Sequence, residues 1–155
     1  MKTYSECFDE GKVRKSSESL SWVNKEILCA ESNIKSAGNI FKINEYEATL
    51  ISAYNAVLHL NRALIYSKGF SVKGHLCIIK TVEELYKDNE EIVEFISSIE
   101  RSLESRNLVQ YEGYSTDKDA AEFMLSLYQR TKIKKLFCPL IAIKRHYISF
   151  QINVF

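Results

Sequence analysis

The sequence contains few residues that interrupt regular structure, with only five glycines and one proline in 155 residues. It also lacks the phosphate-binding P-loop, the G-x-G-x-x-G nucleotide motif and the G-x-S-x-G nucleophile motif. Nucleotide hydrolysis and acyl transfer therefore have no support from motifs. No apolar run approaches the ~18 residues that a membrane-spanning helix needs, and the longest, LFCPLIAI, contains the proline. We expect a protein that does not bind membranes.

Charge is nearly balanced, because 21 lysines and arginines stand against 20 aspartates and glutamates. The formal net charge of +1 produces no whole-surface field that would attract nucleic acid or a membrane. Binding to such a partner would have to come from a local patch of residues.

Cysteine is scarce and scattered, without a C-x-x-C pair or a second cluster that would complete a zinc site. We therefore predict buried free thiols, no metal and no other cofactor. The N-terminal segment is polar and charged and lacks the apolar core of a signal peptide, which predicts a cytoplasmic, reducing location. The four positions are Cys7, Cys29, Cys77 and Cys138.

Apolar residues recur at helical spacing along most of the chain, and 46% of the residues are hydrophobic. This pattern predicts an all-α fold with a core large enough for a single domain. The second predicted helix is apolar nearly all round, which is typical of a helix at the centre of a bundle. We predict five helices, at about 20–37, 44–68, 75–87, 90–112 and 115–135.

Capping residues and glycines predict where these helices begin and end. The segment SSES at 16–19 predicts an N-cap for the first helix, and the Ser-Thr-Asp segment at 115–117 predicts one for the fifth. Gly38, Gly69 and Gly113 predict the ends of the first, second and fourth helices. The segment GFSVKG that begins at Gly69 predicts a turn.

The last part of the chain has a different pattern. Apolar residues alternate with polar ones from Ile148 to Val154, which is typical of a half-buried strand. Such a strand could pair across a two-fold axis, lie on the bundle, remain disordered or belong only to the end of the gene, and these alternatives stay open. We divide the chain into a helical bundle at 1–135 and a C-terminal tail of unknown role at 136–155.

Two polar residues, Arg106 and Asn107, lie near the end of the fourth predicted helix in the segment SRNLVQYEGY. Counting about 100° per residue from Ile92 places Leu103 at about +20° and Arg106 at about −40°, within the apolar stripe. A guanidinium cannot lose its charge, so an inward Arg106 needs carboxylate, phosphate or carbonyl partners. Arg106 and Asn107 either tie down the helix end through backbone carbonyls and a neighbouring acid, or bind a ligand.

A polar stripe crosses the apolar second helix, with Asn55, His59, Arg62 and Tyr66 at intervals of four, three and four residues. One interpretation is a hydrogen-bonded seam between helices or between subunits. The other is that the stripe faces the groove that contains Arg106, which makes His59 and Arg62 candidate ligand-binding residues.

The start of the third predicted helix is another candidate site, because Lys73 and His75 flank Gly74 there. Backbone N–H groups and the dipole at a helix N-terminus favour an anion. His75 is thus a candidate phosphate ligand or general acid, and Lys73 is a candidate ligand-binding residue. A helix cap or an ordinary surface position would also explain His75.

Three segments together resemble the HEPN domain family (higher eukaryotes and prokaryotes nucleotide-binding), in particular its small stand-alone archaeal and bacterial branch. The resemblance covers about residues 10–130. The segments are EGKVRKS, AYNAVLHLNRALIYSKGFSVKGH and SRNLVQYEGY, and the middle one is the most specific. Its matching positions are Tyr54, Arg62, Ala63, Leu64, Lys68, Gly69 and His75.

The resemblance implies an up-down bundle of four or five helices that forms a homodimer, with a minimal nucleotidyltransferase as partner and antitoxin. In many members an Arg-x(4–6)-His motif, brought together from two subunits, forms a metal-independent ribonuclease site. A histidine there can move the 2′-OH proton while the arginine holds the phosphate. RNA or a nucleotide is therefore the implied ligand.

This chain matches the start of that motif with Arg106 and Asn107, but Tyr111 stands five residues after Arg106 and no histidine follows before His146. A tyrosine side chain ordinarily has a pKa of about 10 and is a poor base at neutral pH. The resemblance offers Arg106 and Tyr111 as candidate catalytic residues, and Tyr111 and Tyr114 as candidates for nucleotidyl modification. Three functions remain open: a ribonuclease toxin that uses Tyr111 or a histidine from elsewhere, a domain that binds nucleotide or RNA, and a structural partner subunit.

Overall fold

The computed structural model describes residues 2–133, and the tail at 136–155 lies outside them. The described part of the chain forms six α-helices and two short β-strands, which confirms the all-α class. In chain order the elements are α1 Tyr4–Asp9, β1 Val13–Lys15, α2 Ser19–Phe41, α3 Tyr46–Ser67, β2 Phe70–Val72, α4 His75–Leu85, α5 Glu90–Glu112 and α6 Lys118–Ile133. None of these helices is long and apolar enough to cross a membrane.

Helix α3 lies at the centre of the bundle and packs against α2, α4, α5 and α6. Its residues Leu50, Ala53, Val57 and Ile65 are almost fully buried, which confirms the central position that the all-round apolar pattern predicts. Each large aliphatic side chain buried in this way stabilises the fold by about 1.5–3 kcal/mol. Gly69 follows the helix with φ of +81°, a left-handed conformation that glycine adopts without strain.

Most predicted helix ends are confirmed within a few residues. Asn89 caps α5 by accepting a hydrogen bond from the N–H of Ile92 at 3.2 Å, and Asp117 accepts one from the N–H of Ala120 at 2.8 Å where α6 begins. The predicted end at Gly38 is wrong, because α2 continues to Phe41. A single glycine inside a helix costs only about 1 kcal/mol relative to alanine, which the packing of a long helix easily offsets.

The segment SSES does not cap α2 in the way that the sequence predicts. Glu18 is the N-cap residue and makes no side-chain capping hydrogen bond. The hydroxyl of Ser19, the first residue of the helix, lies 2.9 Å from the carbonyl oxygen of Ser16 and 3.0 Å from that of Tyr66. Because Tyr66 is on α3, this contact connects the start of one helix to the end of the next, and a local pattern cannot indicate it.

A small antiparallel sheet joins β1 to β2, where the sequence predicts only a turn. Val13 pairs with Val72, and Lys15 pairs with Phe70. Strands of three residues are too short for an alternating pattern to be recognised. The sheet fixes the chain immediately before α4, and it therefore determines where Gly74 and the first turn of α4 lie.

Cys7 and Cys77 form a disulfide that joins α1 to α4, so the prediction of free thiols is wrong for this pair. The two cysteines are buried and 70 residues apart in the sequence, and only packing of α1 against α4 brings them together. Cys29 is a half-buried free cysteine, and Cys138 lies outside the described residues. The disulfide holds α1 beside the first turn of α4.

Candidate functional site

Arg106 lies in the interior of the bundle near the end of α5. It is only 7% exposed and continues the buried row of Ile92, Ile96 and Ile99, as the angular count predicts. Its Nη1 donates a hydrogen bond to Oδ1 of Asn107 at 3.1 Å. Its Nε is buried and has no hydrogen-bond partner among the described residues. Such a group is costly to bury unless an acceptor reaches it.

The end of α5 does not depend on Arg106. Gly113 ends the helix with φ of +71°, and its N–H donates to the carbonyl oxygen of Leu108. The N–H of Tyr114 reaches the same carbonyl at 3.2 Å. Among the hydrogen bonds of the described residues, Arg106 donates to Asn107 and to no backbone carbonyl. The contacts therefore give no support to a capping role for Arg106.

Two tyrosine rings contact the guanidinium of Arg106. Its Cζ lies 4.9 Å from the ring centroid of Tyr111 and 5.8 Å from that of Tyr54. Tyr111 is 68% exposed, whereas Tyr54 is fully buried, so Arg106 contacts one ring at the surface and one in the core. Cation–π contacts attract the guanidinium without neutralising it, and its charge remains available to an anion.

His75 is the first residue of α4, and the fold brings it to the same place. Its Nδ1 lies 3.4 Å from the hydroxyl oxygen of Tyr54, and the two rings are 5.7 Å apart. The preceding residue, Gly74, has φ of +83°, a conformation that glycine allows. Among the described residues, no side chain caps this helix end. The backbone N–H groups of the first turn therefore keep their capacity to bind an anion.

The charges around His75 favour its neutral form. Burial lowers the pKa of His75, and the positive charges of Arg106 and Arg62 lower it further. Burial raises the pKa of Tyr54, although the same two guanidiniums act in the opposite direction. At neutral pH this site therefore combines an uncharged imidazole, an un-ionised phenol and two permanent cations.

Arg62 adds the second of these cations from α3. Its Nε is also buried without a hydrogen-bond partner among the described residues. No ion pair between described residues includes Arg62 or Arg106. An anionic ligand would supply the acceptors that both guanidiniums lack. The arginine–histidine cluster, as we name this site, consists of Tyr54, Arg62, His75, Arg106 and Asn107.

His59 lies in a different environment, although it belongs to the same polar stripe as Arg62. Its Nδ1 is 2.6 Å from Oε2 of Glu26 on α2. The ring of Tyr66 packs edge-on against Trp22, also on α2, at 5.4 Å. His59 and Tyr66 therefore form part of the seam between α2 and α3, which is one of the two interpretations of the stripe, while the charge of Arg62 acts on His75.

Lys73 and Tyr114 have no described contact with the cluster. Lys73 is exposed, and its backbone N–H donates to the carbonyl oxygen of Lys12 at 2.8 Å, next to the sheet. Tyr114 is 60% exposed.

Sequence reasoning identified Tyr54 only as a matching position and did not predict its contact with His75. The one sequence signal for this contact was that Tyr54 and His75 both lie in the segment AYNAVLHLNRALIYSKGFSVKGH.

Comparison with known proteins adds an independent result. The family described as HEPN domain matches residues 23–131, a range that includes the whole arginine–histidine cluster. A protein named "Putative toxin MJ0605" from Methanocaldococcus jannaschii is 33% identical over 96 residues, which cover 62% of this chain and 70% of the relative. No solved structure matches significantly. Because the family match spans more than half of the sequence, this chain belongs to the HEPN domain family.

Proposed function

We propose that this HEPN domain binds phosphate groups of RNA or a nucleotide through Arg106 and Asn107. The observation that carries the proposal is the burial of the Arg106 guanidinium with its Nε unpartnered among the described residues. A guanidinium cannot lose its charge to relieve this cost. Phosphate oxygens are acceptors that match its planar set of donors.

The surroundings of Arg106 support an anion over a neutral ligand. Arg62 brings a second guanidinium without an ion-pair partner among the described residues, and the uncapped start of α4 adds backbone donors. The chain as a whole has a net charge of only +1. The cluster is therefore the kind of local positive site that a nearly neutral protein needs for phosphate binding.

We further propose that the protein acts in a toxin–antitoxin-like pair, with a minimal nucleotidyltransferase as its partner. The name of the archaeal relative, "Putative toxin MJ0605", supports the first half of this proposal. The partner is implied by the family resemblance of the sequence. Tyr111 and Tyr114 are exposed and would be accessible to nucleotidyl transfer by that partner. Mass spectrometry after incubation with the partner and ATP would detect the modification.

A homodimer is part of the same proposal. Exposed apolar side chains on α5 and α6 support it, because Val93, Leu108 and Phe123 are each at least 40% exposed. Large exposed apolar residues often mark contact surfaces. We expect Leu108→Glu to shift the sedimentation coefficient from that of a dimer towards that of a monomer, whereas Ser36→Glu, at an exposed polar position on α2, should leave the dimer intact. A wild-type protein that sediments as a monomer would contradict the proposal.

Binding of a fluorescein-labelled single-stranded RNA tests the phosphate site directly. We expect Arg106→Ala to weaken binding by at least tenfold, because the substitution removes the buried phosphate donor. Arg101→Ala removes an equal charge from an exposed position on α5 and should change the Kd less than about threefold. Equal loss in both variants would mean that only the general charge matters. Absence of RNA and nucleotide binding by the wild type would favour a structural subunit.

A second candidate function is an active metal-independent ribonuclease toxin. The observation that favours it is the position of His75 beside Tyr54, in the same cluster as Arg106. Expression in a bacterial host should then arrest growth, and Arg106→Ala should relieve the arrest.

A further inference from the structure

We propose that His75 is the catalytic acid–base residue of an RNA-cleaving site in which Arg106 binds the reacting phosphate. This inference rests on the proposed phosphate site and adds the reaction that it performs. Helix α5 has no histidine after Arg106. The imidazole instead comes from the first turn of α4, which the sheet and the disulfide hold in place.

The contact with Tyr54 leaves one nitrogen of His75 for a substrate. Nδ1 faces the phenol oxygen at 3.4 Å, so Nε2 remains for a ligand. The phenol can donate to Nδ1 or accept from it, and it therefore supports either tautomer of the neutral ring. Tyr54 is fully buried, whereas His75 is half-buried. The buried tyrosine positions the ring, and the histidine keeps a path to the surface.

The local charges suit a base that becomes stronger when RNA binds. In the free protein Arg62 and Arg106 disfavour protonation of His75, which keeps the imidazole ready to accept a proton. A bound phosphate would offset those positive charges and thereby favour transfer of a proton to the ring. Negative charge increases on the phosphate oxygens during the reaction, and the guanidinium of Arg106 would stabilise that charge.

The reaction is a transesterification within the RNA. Nε2 of His75 takes the proton of a 2′-hydroxyl group, and the 2′ oxygen attacks the adjacent phosphorus while the bond from phosphorus to the 5′ oxygen breaks. The leaving 5′ oxygen receives a proton from the imidazolium, directly or through solvent. The products are a 2′,3′-cyclic phosphate and a 5′-hydroxyl end, and the step consumes no metal, oxidant or water.

Binding and cleavage of one labelled single-stranded RNA, measured in EDTA with the full-length chain, test this proposal. We expect His75→Gln to reduce the cleavage rate by at least 100-fold, the lower end for loss of a general acid–base group, with the Kd changed less than about threefold. Arg106→Ala should weaken binding at least tenfold and abolish cleavage. His59→Gln is the matched control, since His59 contacts Glu26 outside the cluster, and it should retain both.

Two further readouts distinguish catalysis from a structural role of His75. The cleaved RNA should end in a 2′,3′-cyclic phosphate, and one 2′-deoxy substitution at the cleaved position should block the reaction. The kcat/KM of the wild type should fall on acidification with an apparent pKa at or below about 6.5, the ordinary value for histidine. This profile remains informative if the variant fails to fold.

The outcomes separate the inference from the proposed function. RNA binding without cleavage, or equal cleavage by wild type and His75→Gln, would overturn the role of His75 and leave the phosphate site intact. A wild-type kcat/KM that is constant between pH 5 and pH 8 would also overturn it. Failure of the wild type to bind RNA would remove both proposals.

Discussion

The phenol oxygen of Tyr54 lies 3.4 Å from Nδ1 of His75, although the two residues are 21 positions apart. Tyr54 belongs to the central helix and is fully buried, so its position is set by the core. His75 begins the next helix and is half-buried. The Cζ atom of Arg106, from a third helix, lies 5.8 Å from the centroid of the same tyrosine ring. Three helices thus meet at one aromatic ring.

Substitution Tyr54→Phe removes this contact and retains the buried ring. If Tyr54 positions His75, the cleavage rate should fall about 2- to 13-fold, which corresponds to the 0.5–1.5 kcal/mol of a typical hydrogen bond, while the KM should change little. The ¹⁵N shifts of His75 should move as the tautomer balance changes. Unchanged shifts together with an unchanged rate would show that the phenol does not act on the imidazole.

Stability should depend on pH through His75. Its pKa is lowered in the folded state by burial and by Arg106 and Arg62, with Tyr54 as the other titratable neighbour. Below about pH 6.5 the unfolded chain takes up the proton first, so the free energy of unfolding should fall as the pH drops from 6.5 through the folded pKa. The Tm of the wild type should therefore fall more between pH 7.5 and pH 5 than that of His75→Gln. Parallel Tm curves would contradict this prediction.

The disulfide between Cys7 and Cys77 should contribute strongly to stability. It closes a loop of 70 residues, which restricts the unfolded chain and stabilises the fold by about 2–4 kcal/mol in the chain-entropy view. Urea unfolding should show a loss of this size for Cys7→Ser. Cys29→Ser, at the half-buried free cysteine, is the control and should stay within about 0.5 kcal/mol of the wild type. Equal midpoints for both variants would mean that the cross-link does not form.

The contact between His59 and Glu26 should matter for folding and not for RNA binding. Glu26 is only 9% exposed, so His59→Leu would leave a nearly buried carboxylate without this partner, at a cost of about 1–3 kcal/mol. The double variant with Glu26→Leu should recover part of that loss, because it removes the unpaired charge. Urea unfolding measures both effects. A double variant less stable than the sum of the single variants would argue against the pairing.

Local patterns were sufficient for most helices of this protein. The apolar spacing of α3 predicts both its length and its central position, and Gly69 and Gly113 have the left-handed φ values that end helices. The inward direction of Arg106 also follows from its angular position on α5. These features depend on residues within a few turns of each other, so they are present in the sequence itself.

Features that join distant segments were not predicted. The strands β1 and β2 have only three residues each, too few for a period to emerge. Cys7 and Cys77 pair across 70 residues without a recognisable spacing. The two interpretations of the polar stripe could be separated only when α2 was seen beside His59.

Local patterns and motifs are enough to indicate a helical HEPN domain with an inward arginine and without the expected histidine after it. That His75 shares a site with this arginine depends on how the helices pack, because Tyr54, His75 and Arg106 lie on three different helices. Their distances depend on how α4 and α5 pack around α3, which is the sum of many side-chain contacts across the core. Helical periodicity records which face of each helix is buried, but it does not record which residues of other helices meet that face.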